Sequence, residues 1–312
     1  MEESLDQVRL QFCENGLSLL TLSLALVMFG VALHLSPADF RRVWAQPKAA
    51  FVGLSAQFLL LPALTVALAW IWQPQPSLAL GMLLVACCPG GNMSNFLTLM
   101  ARGNTALSVS LTAAGSVLAL FLTPVNFALW QRVLPGTSAL LEDIGMNAGQ
   151  LVGSLFVMLL VPLGLGLLVA GRFPDASARL RKPFNRLSLL IFFAFLVFAI
   201  QSNAGLFWRW AGVLFLLVLV HNALAYLSGF LLSKAFGLPS ADVRAISIET
   251  GIQNAGLALV LIFAHFDGLG GMALVAGWWG IWHIISGFAL ARWLSRAQPR
   301  SSLEPLSPSP ET

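Results

Sequence analysis

Long apolar segments constrain the fold of this chain more than any other feature of its sequence. Two examples are LSLLTLSLALVMFGVALHL (17–35) and LVGSLFVMLLVPLGLGLLVAG (151–171). The mean hydropathy of the 312 residues is +0.83. Segments of about 20 apolar residues match the hydrocarbon thickness of a bilayer, whereas a soluble helical core would need polar outer faces that these segments lack. The sequence therefore predicts one all-α, polytopic domain embedded in a lipid bilayer.

The hydropathy pattern predicts nine membrane spans. They cover residues 16–35, 49–71, 77–101, 104–130, 144–171, 184–202, 207–233, 240–264 and 271–294. The chain then divides into an N-terminal tail at 1–15, a transmembrane domain at 16–294 and a C-terminal tail at 295–312. The C-terminal tail is rich in Pro and Ser and has no apolar face, so it is expected to be disordered.

Basic residues are unevenly distributed between the two predicted sides of the membrane. Of the 17 Lys and Arg residues, fourteen lie on one side, and the other side has only Arg9, Arg132 and Arg209. Because cytoplasmic loops carry the excess of Lys and Arg, the crowded side is expected to be cytoplasmic. Nine crossings then place the N-terminus outside the cell membrane and the C-terminus in the cytoplasm. This distribution explains the net charge of +4 without a nucleic-acid partner, and no obligate protein partner is evident.

Two of the predicted spans contain residues that interrupt a helix. The third contains CCPGGNMSN (87–95), in which Pro89 has no backbone donor and the glycines are poor helix formers. The eighth contains ETGIQN (249–254), with Gly251 near its centre. Interrupted backbone at membrane depth is tolerated only inside the protein or beside a wet cavity. Both interruptions are therefore expected to face the interior of the protein.

The two interruptions also occupy corresponding places in the chain. Asn95 and Asn254 are 159 positions apart, and the second and seventh spans begin at 49 and 207, which are 158 positions apart. Five crossings separate the members of each pair, so the two copies would have opposite orientations. Spans 1–4 and 6–9 are therefore predicted to be inverted repeats with two discontinuous helices that cross. Secondary transporters use this design to bind ions and substrates near the bilayer midplane.

Glu249 is the only acidic residue inside the predicted spans and away from their ends. A charge at the bilayer centre costs about 3 kcal/mol or more, so the carboxyl group needs either a proton or a bound cation. Neighbouring side chains in the two interruptions and the next span offer oxygen ligands: Ser94, Asn95, Gln253, Asn254, and the i, i+4 pair Ser108 and Thr112. Oxygen ligands suit a hard cation, and sodium is the abundant one outside a cell.

These motifs resemble those of the bile acid:sodium symporter family. The resemblance covers about 16–294 and is carried by CCPGGNMSN, LTLMARGNTALSVSLT (97–112), ETGIQNAGLAL (249–259) and WHIISG (282–287). It implies a nine-span form of the family, in which a core domain and a panel domain move against each other. Residues 16–294 would then form the transmembrane transporter domain.

The resemblance implies two sodium sites behind the helix crossing. The first would consist of Ser94, Asn95, Ser108, Thr112 and Glu249. The second would consist of Gln57, Glu249, Gln253 and the backbone carbonyls of Thr250 and Ile252. Considered without the resemblance, Gln57 is more typical of a hydrogen bond between helices. The residues implied to bind substrate at the crossing are Asn92, Met93, Asn254 and His283.

The sequence thus predicts a sodium-coupled symporter that takes up an organic anion by alternating access. The resemblance implies a bile-acid-like anion or a smaller carboxylate such as pantoate. Two alternatives remain open: a proton-coupled or exporting carrier of related fold, and a membrane sensor that binds the anion without transporting it. An intramembrane enzyme would need a Ser/His pair or a His/Glu/Asp cluster, so no enzymatic activity is expected. His221 and Asn222 are interpreted as bridges between helices.

Overall fold

The computed structural model describes residues 4–10, 25, 26, 28–30, 32, 33, 37–143 and 148–296. Within these ranges the regular elements are helices, and extended pairing is limited to isolated bridges. In chain order the elements are α1 (Pro37–Ala45), α2 (Pro47–Ser55), a π-helical turn (Ala56–Leu60), α3 (Leu61–Trp72), α4 (Pro76–Cys87), α5 (Met93–Met100), α6 (Thr105–Trp130), a 3-10 turn (Gln131–Val133), α7 (Thr137–Asp143), α8 (Ala148–Arg172), α9 (Pro174–Ser202), α10 (Ala204–Ala235), α11 (Ser240–Gly251), α12 (Ala255–His265) and α13 (Gly270–Arg296).

Several of these helices are suited to a bilayer. In the described part of the chain, four helical segments are long and apolar enough to cross it, namely Pro47–Trp72, Thr105–Val133, Ala204–Ala235 and Gly270–Arg296. Shorter apolar helices lie between them in the chain, at Pro76–Cys87, Leu160–Arg172 and Ala255–His265. The prediction of an all-helical polytopic membrane protein is confirmed for these residues. The count of nine crossings stays a prediction, because most of 16–35 lies outside the described residues. Residues 297–312, which belong to the predicted C-terminal tail, also lie outside the described residues.

Three helices differ from the prediction, and one of them is α7, which lies between the fourth and fifth predicted spans. α9 begins at Pro174, ten residues before the predicted span at 184–202, and α1 lies in the segment between the first two predicted spans. Both regions are rich in charged side chains, so a hydropathy pattern does not detect them as parts of helices. Pro174 and Pro37 each occupy the first position of their helix, where the missing N–H is not needed for a backbone hydrogen bond.

The same order of helices occurs twice. A long continuous segment (Pro47–Trp72) is followed by the interrupted pair α4 and α5 and then by the long α6, and α10 is followed by α11, α12 and the long α13. The spacing between the copies is not constant: it is 157 residues from Pro47 to Ala204 and 165 from Thr105 to Gly270. The offset therefore varies along the repeat, because the connecting segments differ in length. The inverted relation between the copies stays a prediction.

Glycines allow the interrupted helices to pack closely against continuous ones. A Cβ atom on Gly81 of α4 would lie 2.7 Å from Met272 Cα in α13. A Cβ atom on Gly229 of α10 would lie 2.8 Å from the carbonyl oxygen of Ile246 in α11. Helices in membranes associate through such close packing of small residues. These two contacts fix α4 and α11, which lead into the two interruptions.

Residues 4–10 pack against helix ends at one face of the molecule. The Asp6 carboxylate accepts a hydrogen bond from the backbone N of Ser77 in the first turn of α4, at 2.8 Å. The Val8 carbonyl accepts one from the backbone N of Gly270, at 2.9 Å. Arg9 Nε lies 3.8 Å from the Asp267 carboxylate. This segment therefore ties together the start of α4 and the turn between α12 and α13.

Candidate functional site

Both predicted interruptions are present. The helical path stops after α4 and resumes at α5, and it stops again after α11 and resumes at α12. Cys88 and Ile252, which follow the ends of α4 and α11, have extended backbone conformations. Pro89 contributes to the first stop because it has no N–H to continue a helix. The structure therefore interrupts both helices where the sequence predicted.

The two interruptions lie against each other and share backbone hydrogen bonds. The backbone N of Gly91 donates to the carbonyl of Ile252 at 2.7 Å, and the backbone N of Asn254 donates to the carbonyl of Pro89 at 2.9 Å. These bonds form an antiparallel bridge, so the two segments run in opposite directions where they meet. Because backbone groups in hydrocarbon must be paired, each interruption supplies partners that the other one needs.

Interrupting a helix also leaves carbonyl oxygens at its end without their usual donors. Side chains from the long helices supply replacement hydrogen bonds of 2.7–2.8 Å: Thr123 Oγ1 to the Cys87 carbonyl, Gln57 Nε2 to the Cys88 carbonyl, and Asn222 Nδ2 to the Gly251 carbonyl. The sequence interpretation of Asn222 as a helix bridge agrees with this contact, but Thr123 was missed. No local sequence signal identifies Thr123, because its contact joins residues that are 36 positions apart in the chain.

A π-helical turn contains Gln57. Pro62 has no N–H to donate to the Phe58 carbonyl four residues earlier, so the regular helical hydrogen bond cannot form there. Asn126 Nδ2 from α6 donates to that carbonyl instead, at 2.7 Å. π-helical turns are frequent at functional sites, and here the turn places a buried amide side chain beside the end of α4.

Glu249 lies in the last turn of α11, and only 4% of its surface is exposed. Its carboxylate accepts three hydroxyl hydrogen bonds: 2.6 Å from Ser94 Oγ, 3.0 Å from Ser108 Oγ and 2.7 Å from Thr112 Oγ1. Ser94 belongs to α5, and the other two hydroxyls belong to α6. In the described part of the chain, no Lys or Arg forms an ion pair with this carboxylate. The structure thus brings four residues of the first predicted sodium site together.

Asn95 is the fifth residue of that predicted site. Its Oδ1 atom lies 2.9 Å from Ser108 Oγ and 3.3 Å from Thr112 Oγ1, the same hydroxyls that contact Glu249. A hydroxyl carries a single hydrogen, so each can donate to Asn95 or to Glu249 but not to both. The cluster therefore has more acceptor oxygens than hydrogens. A hard cation with oxygen ligands fits such a cluster.

Thr98 is a further member of this cluster that the sequence interpretation missed. Its side chain is fully buried, and its Oγ1 atom donates to Ser108 Oγ at 3.4 Å. Thr98 follows Ser94 by four residues on α5, which puts both hydroxyls on one helix face. The i, i+4 spacing that identified Ser108 and Thr112 could therefore have identified this pair as well.

The residues of the second predicted sodium site are connected by amide hydrogen bonds. Gln57 Nε2 donates to Gln253 Oε1 at 2.8 Å, and Gln253 Nε2 donates to the Thr250 carbonyl at 2.7 Å. Ile252 lies between these groups in the chain, and its carbonyl accepts the bond across the interruptions. The hydrogen bonds of Glu249 go to the first cluster rather than to these amides.

The Oε1 atom of Gln57 is buried and accepts no hydrogen bond within the described residues. Buried polar atoms are almost always paired, so this oxygen is an exception that needs a physical reason. It belongs to an amide that already contacts the end of α4 and Gln253. An unpaired acceptor in this position fits a cation ligand, and a hydrogen bond between helices does not by itself explain it.

The predicted substrate residues divide into two groups. Asn92 and Met93 lie at the start of α5, and Asn254 precedes α12, where its Oδ1 accepts a hydrogen bond from Leu257 N at 3.0 Å. The N-terminal ends of both helices, which carry partial positive charge, are thus at the crossing. His283 is buried in α13, and its Nδ1 atom has no hydrogen-bond partner in the described residues. No hydrogen bond in this part of the chain joins the His283 side chain to the crossing.

Gly90 permits the close approach of the first interruption to the buried carboxylate. A Cβ atom at this position would overlap Glu249 Oε1 and would lie 3.0 Å from Glu249 Cδ. Gly251 plays a similar part in the second interruption, because a Cβ atom there would overlap the ring of Tyr226. The glycines predicted as helix breakers therefore also make room for the site.

Apolar helices that stop and restart around a buried polar site are characteristic of membrane transport proteins. Comparison with known families gives the particular class. The model described as Sodium Bile acid symporter family matches residues 21–210, which is more than half of the chain. The protein belongs to this family and is a sodium-dependent membrane transporter, which confirms the family predicted from the motifs.

Individual relatives agree with this assignment. The chain is 32% identical over 279 residues to the "Uncharacterized sodium-dependent transporter YocS" of Bacillus subtilis, covering 89% of this chain and 84% of the relative. It is 30% identical over 275 residues to the "Probable sodium/metabolite cotransporter BASS2, chloroplastic" of Oryza sativa, covering 83% of this chain and 64% of the relative. It is 27% identical over 253 residues to the human "Ileal sodium/bile acid cotransporter", covering 80% and 70%.

Proposed function

We propose that this protein is a secondary active symporter in which two sodium ions moving inward drive the uptake of one organic anion. The observation that carries the proposal is the buried Glu249 carboxylate, which faces three hydroxyl groups at the meeting point of two interrupted helices. The substrate is a bile-acid-like anion or a smaller carboxylate such as pantoate. The names of the relatives, which include bile acid and metabolite cotransporters, support this substrate class.

Two sets of oxygens serve as the sodium ligands in this proposal. The first set is supported by the surplus of acceptor oxygens around Glu249 and contains Ser94, Asn95, Ser108, Thr112 and Glu249. The second set is supported by the unpaired oxygen of Gln57 and contains Gln57, Glu249, Gln253 and the carbonyls of Thr250 and Ile252. The anion binds near Asn92, Met93, Asn254 and His283.

The proposed arrangement in the membrane has nine spans, with the N-terminus outside and the C-terminus in the cytoplasm of the cell that makes the protein. The asymmetric distribution of Lys and Arg supports this orientation. Residues 1–15 form the outer tail, 16–294 the transporter domain with its core and panel, and 295–312 the cytoplasmic tail. The contacts of residues 4–10 with Ser77 and Gly270 support placing the N-terminal tail and these two helix starts on one side.

Charge balance gives a physical reason for coupling. Two sodium ions next to one carboxylate leave a net positive charge in a region with few polar groups, and burying such a charge is costly. A monovalent anion at the crossing brings the local sum to zero. Each ligand therefore lowers the free energy of binding the others, which is positive coupling between sites.

Transport is expected to move charge. Two sodium ions and one monovalent anion carry a net charge of +1 inward in each cycle, so an inside-negative membrane potential should accelerate uptake. Proteoliposomes with a potassium gradient and valinomycin can set this potential while the sodium gradient is held constant. Uptake that is unchanged by the potential would contradict the proposed ratio of two sodium ions to one anion.

Uptake of labelled taurocholate and pantoate in sodium and in choline buffer tests the proposed function directly. We expect accumulation only in sodium buffer, and we expect these anions to raise the unfolding temperature of the purified protein mainly when sodium is present. Uptake driven equally well by a proton gradient in choline would instead identify the proton-coupled alternative. Sodium-dependent binding without counterflow would identify the sensor.

A further inference from the structure

A cavity of about 440 Å³ lies between α10 and α13. None of the residues assigned to sodium or to substrate lines it within the described part of the chain. Most of its walls are apolar and aromatic, and they include Leu227, Phe230, Trp282 and Trp293. The volume is within the range of roughly 300–1,000 Å³ that small-molecule pockets occupy. The cavity can therefore hold a hydrocarbon chain and is separate from the transport site.

One cationic side chain lines this cavity, and a second lies beside one of its wall residues. Arg244 of α11 lines it directly, and one of its guanidinium nitrogens donates to the Ala101 carbonyl at 2.8 Å. A guanidinium has five N–H donors, so others remain for a ligand. The Lys234 ammonium nitrogen lies 5.3 Å from the ring centre of Phe230, one of the wall residues, and the side chain is exposed. An apolar cavity with a cationic wall residue and a second cation close by is complementary to an anionic amphiphile.

The position of the cavity indicates that such an amphiphile comes from the bilayer. In the proposed orientation Arg244 and Lys234 belong to the cytoplasmic side, where anionic lipids are concentrated and attract basic residues. Basic pockets between transmembrane helices on this side bind anionic head groups. Trp293 is exposed in the last turns of α13, and amphipathic aromatic rings favour the head-group level.

We propose that the cavity between α10 and α13 binds an anionic phospholipid of the cytoplasmic leaflet. One acyl chain lies between the aromatic walls, and the phosphate of the head group contacts Arg244 and Lys234. The proposal depends on the proposed orientation of the chain, but it does not depend on which ions or anions are transported.

Hydrogen bonds connect two lining residues of this cavity to the end of α11. Ser286 Oγ donates to Asn222 Oδ1 at 2.7 Å, and Asn222 Nδ2 donates to the Gly251 carbonyl at 2.8 Å. Both Ser286 and Asn222 line the cavity, and Gly251 is two residues after Glu249. A lipid that packs against Ser286 and Asn222 stabilises the end of α11. Lipid binding and sodium binding are therefore expected to favour each other, since coupling between two sites is reciprocal.

Native mass spectrometry of the purified full-length protein can test the proposal with dioleoyl phosphatidylglycerol and dioleoyl phosphatidylcholine as probes. We expect the anionic lipid to bind more tightly, and Arg244→Gln and Lys234→Gln each to weaken its binding about fivefold. Arg209→Gln is the matched control, because it removes an exposed charge from the other end of α10. Its affinity for phosphatidylglycerol should equal that of the unchanged protein.

Three results of the lipid titrations would overturn the assignment. The first is equal binding of the two lipids. The second is a Lys234→Gln variant that binds phosphatidylglycerol as tightly as the unchanged protein. The third is a loss of phosphatidylglycerol affinity in Arg209→Gln as large as that in the Arg244 and Lys234 variants. Arg244→Gln also removes the hydrogen bond to the Ala101 carbonyl and can therefore impair folding. In that case the Lys234→Gln variant, which loses no such contact within the described residues, decides the test. Displacement of phosphatidylglycerol by taurocholate, but not by phosphatidylcholine, would show that the cavity takes soluble anions instead of lipid. These binding measurements need no sodium gradient, so they can fail or succeed independently of the transport proposal.

Discussion

Glu249→Gln is expected to abolish sodium-dependent uptake while leaving a folded, membrane-inserted protein. Glu249 is the only side chain with a formal charge in either proposed sodium site. The amide keeps the size of the side chain, and its single oxygen can still accept one of the two hydrogen bonds that Ser94 and Thr112 donate to separate carboxylate oxygens. Removing one partner from a buried charge pair costs about 3–5 kcal/mol, which corresponds to a loss of affinity of more than about 100-fold. Sodium should then no longer raise the unfolding temperature of the purified variant.

Glu142→Gln is the matched control for this experiment. It makes the same chemical change on an exposed side chain in α7, so its uptake and its stabilisation by sodium should equal those of the unchanged protein. Size-exclusion chromatography of both variants separates loss of sodium binding from loss of folding. Ordinary sodium dependence in Glu249→Gln would rule out both proposed sets of ligands.

Gly90→Ala is expected to cause the second largest loss of activity. The added methyl group would overlap Glu249 Oε1, so the carboxylate or the first interruption has to move. Gly90 does not have the positive φ that would itself disfavour alanine, and the effect therefore comes from the contact alone. Overpacking of this kind costs about 1–3 kcal/mol, and we expect the sodium concentration for half-maximal uptake to rise at least about fivefold.

Gly115→Ala tests whether this effect is specific to the contact. Gly115 is buried in α6, close to Thr112 in the chain, but a Cβ atom there would lie 3.8 Å from the Phe58 ring, an ordinary van der Waals distance. Its sodium dependence should remain within about twofold of the unchanged protein. If the two variants have the same sodium dependence, the close approach of Gly90 to the Glu249 carboxylate is not required for sodium binding.

The positions of the interruptions could be predicted because they follow from local backbone chemistry. Pro89 lacks a donor, and the glycines beside it and at Gly251 favour the end of a helix, so a short stretch of sequence is sufficient. The acidic residue was equally clear, because Glu249 is the only one inside the predicted spans and away from their ends. Ser108 and Thr112 could be placed on one face by helical spacing. These features need no knowledge of which helices touch.

Features that depend on contacts between distant segments could not be predicted in this way. Thr123 supports the Cys87 carbonyl from 36 residues away, and Asn222 supports Gly251 from 29 residues away. Gln57 could be assigned to a sodium site only by family resemblance, because its contact with Gln253 spans 196 residues. The extension of α9 was missed for a different reason: charged residues can continue a helix, but they do not appear in a hydropathy pattern.

The shared hydrogen bonds of the two interruptions have a consequence for biogenesis. When the ribosome has completed the first interruption, Ile252, which accepts the hydrogen bond from Gly91, has not yet been synthesised. The early part of the chain therefore enters the bilayer with polar main-chain atoms that only the late part can pair. A gene divided between α7 and α8 should yield two fragments that are each prone to degradation when made alone. Made together in one cell, the fragments can complement each other and complete the transporter.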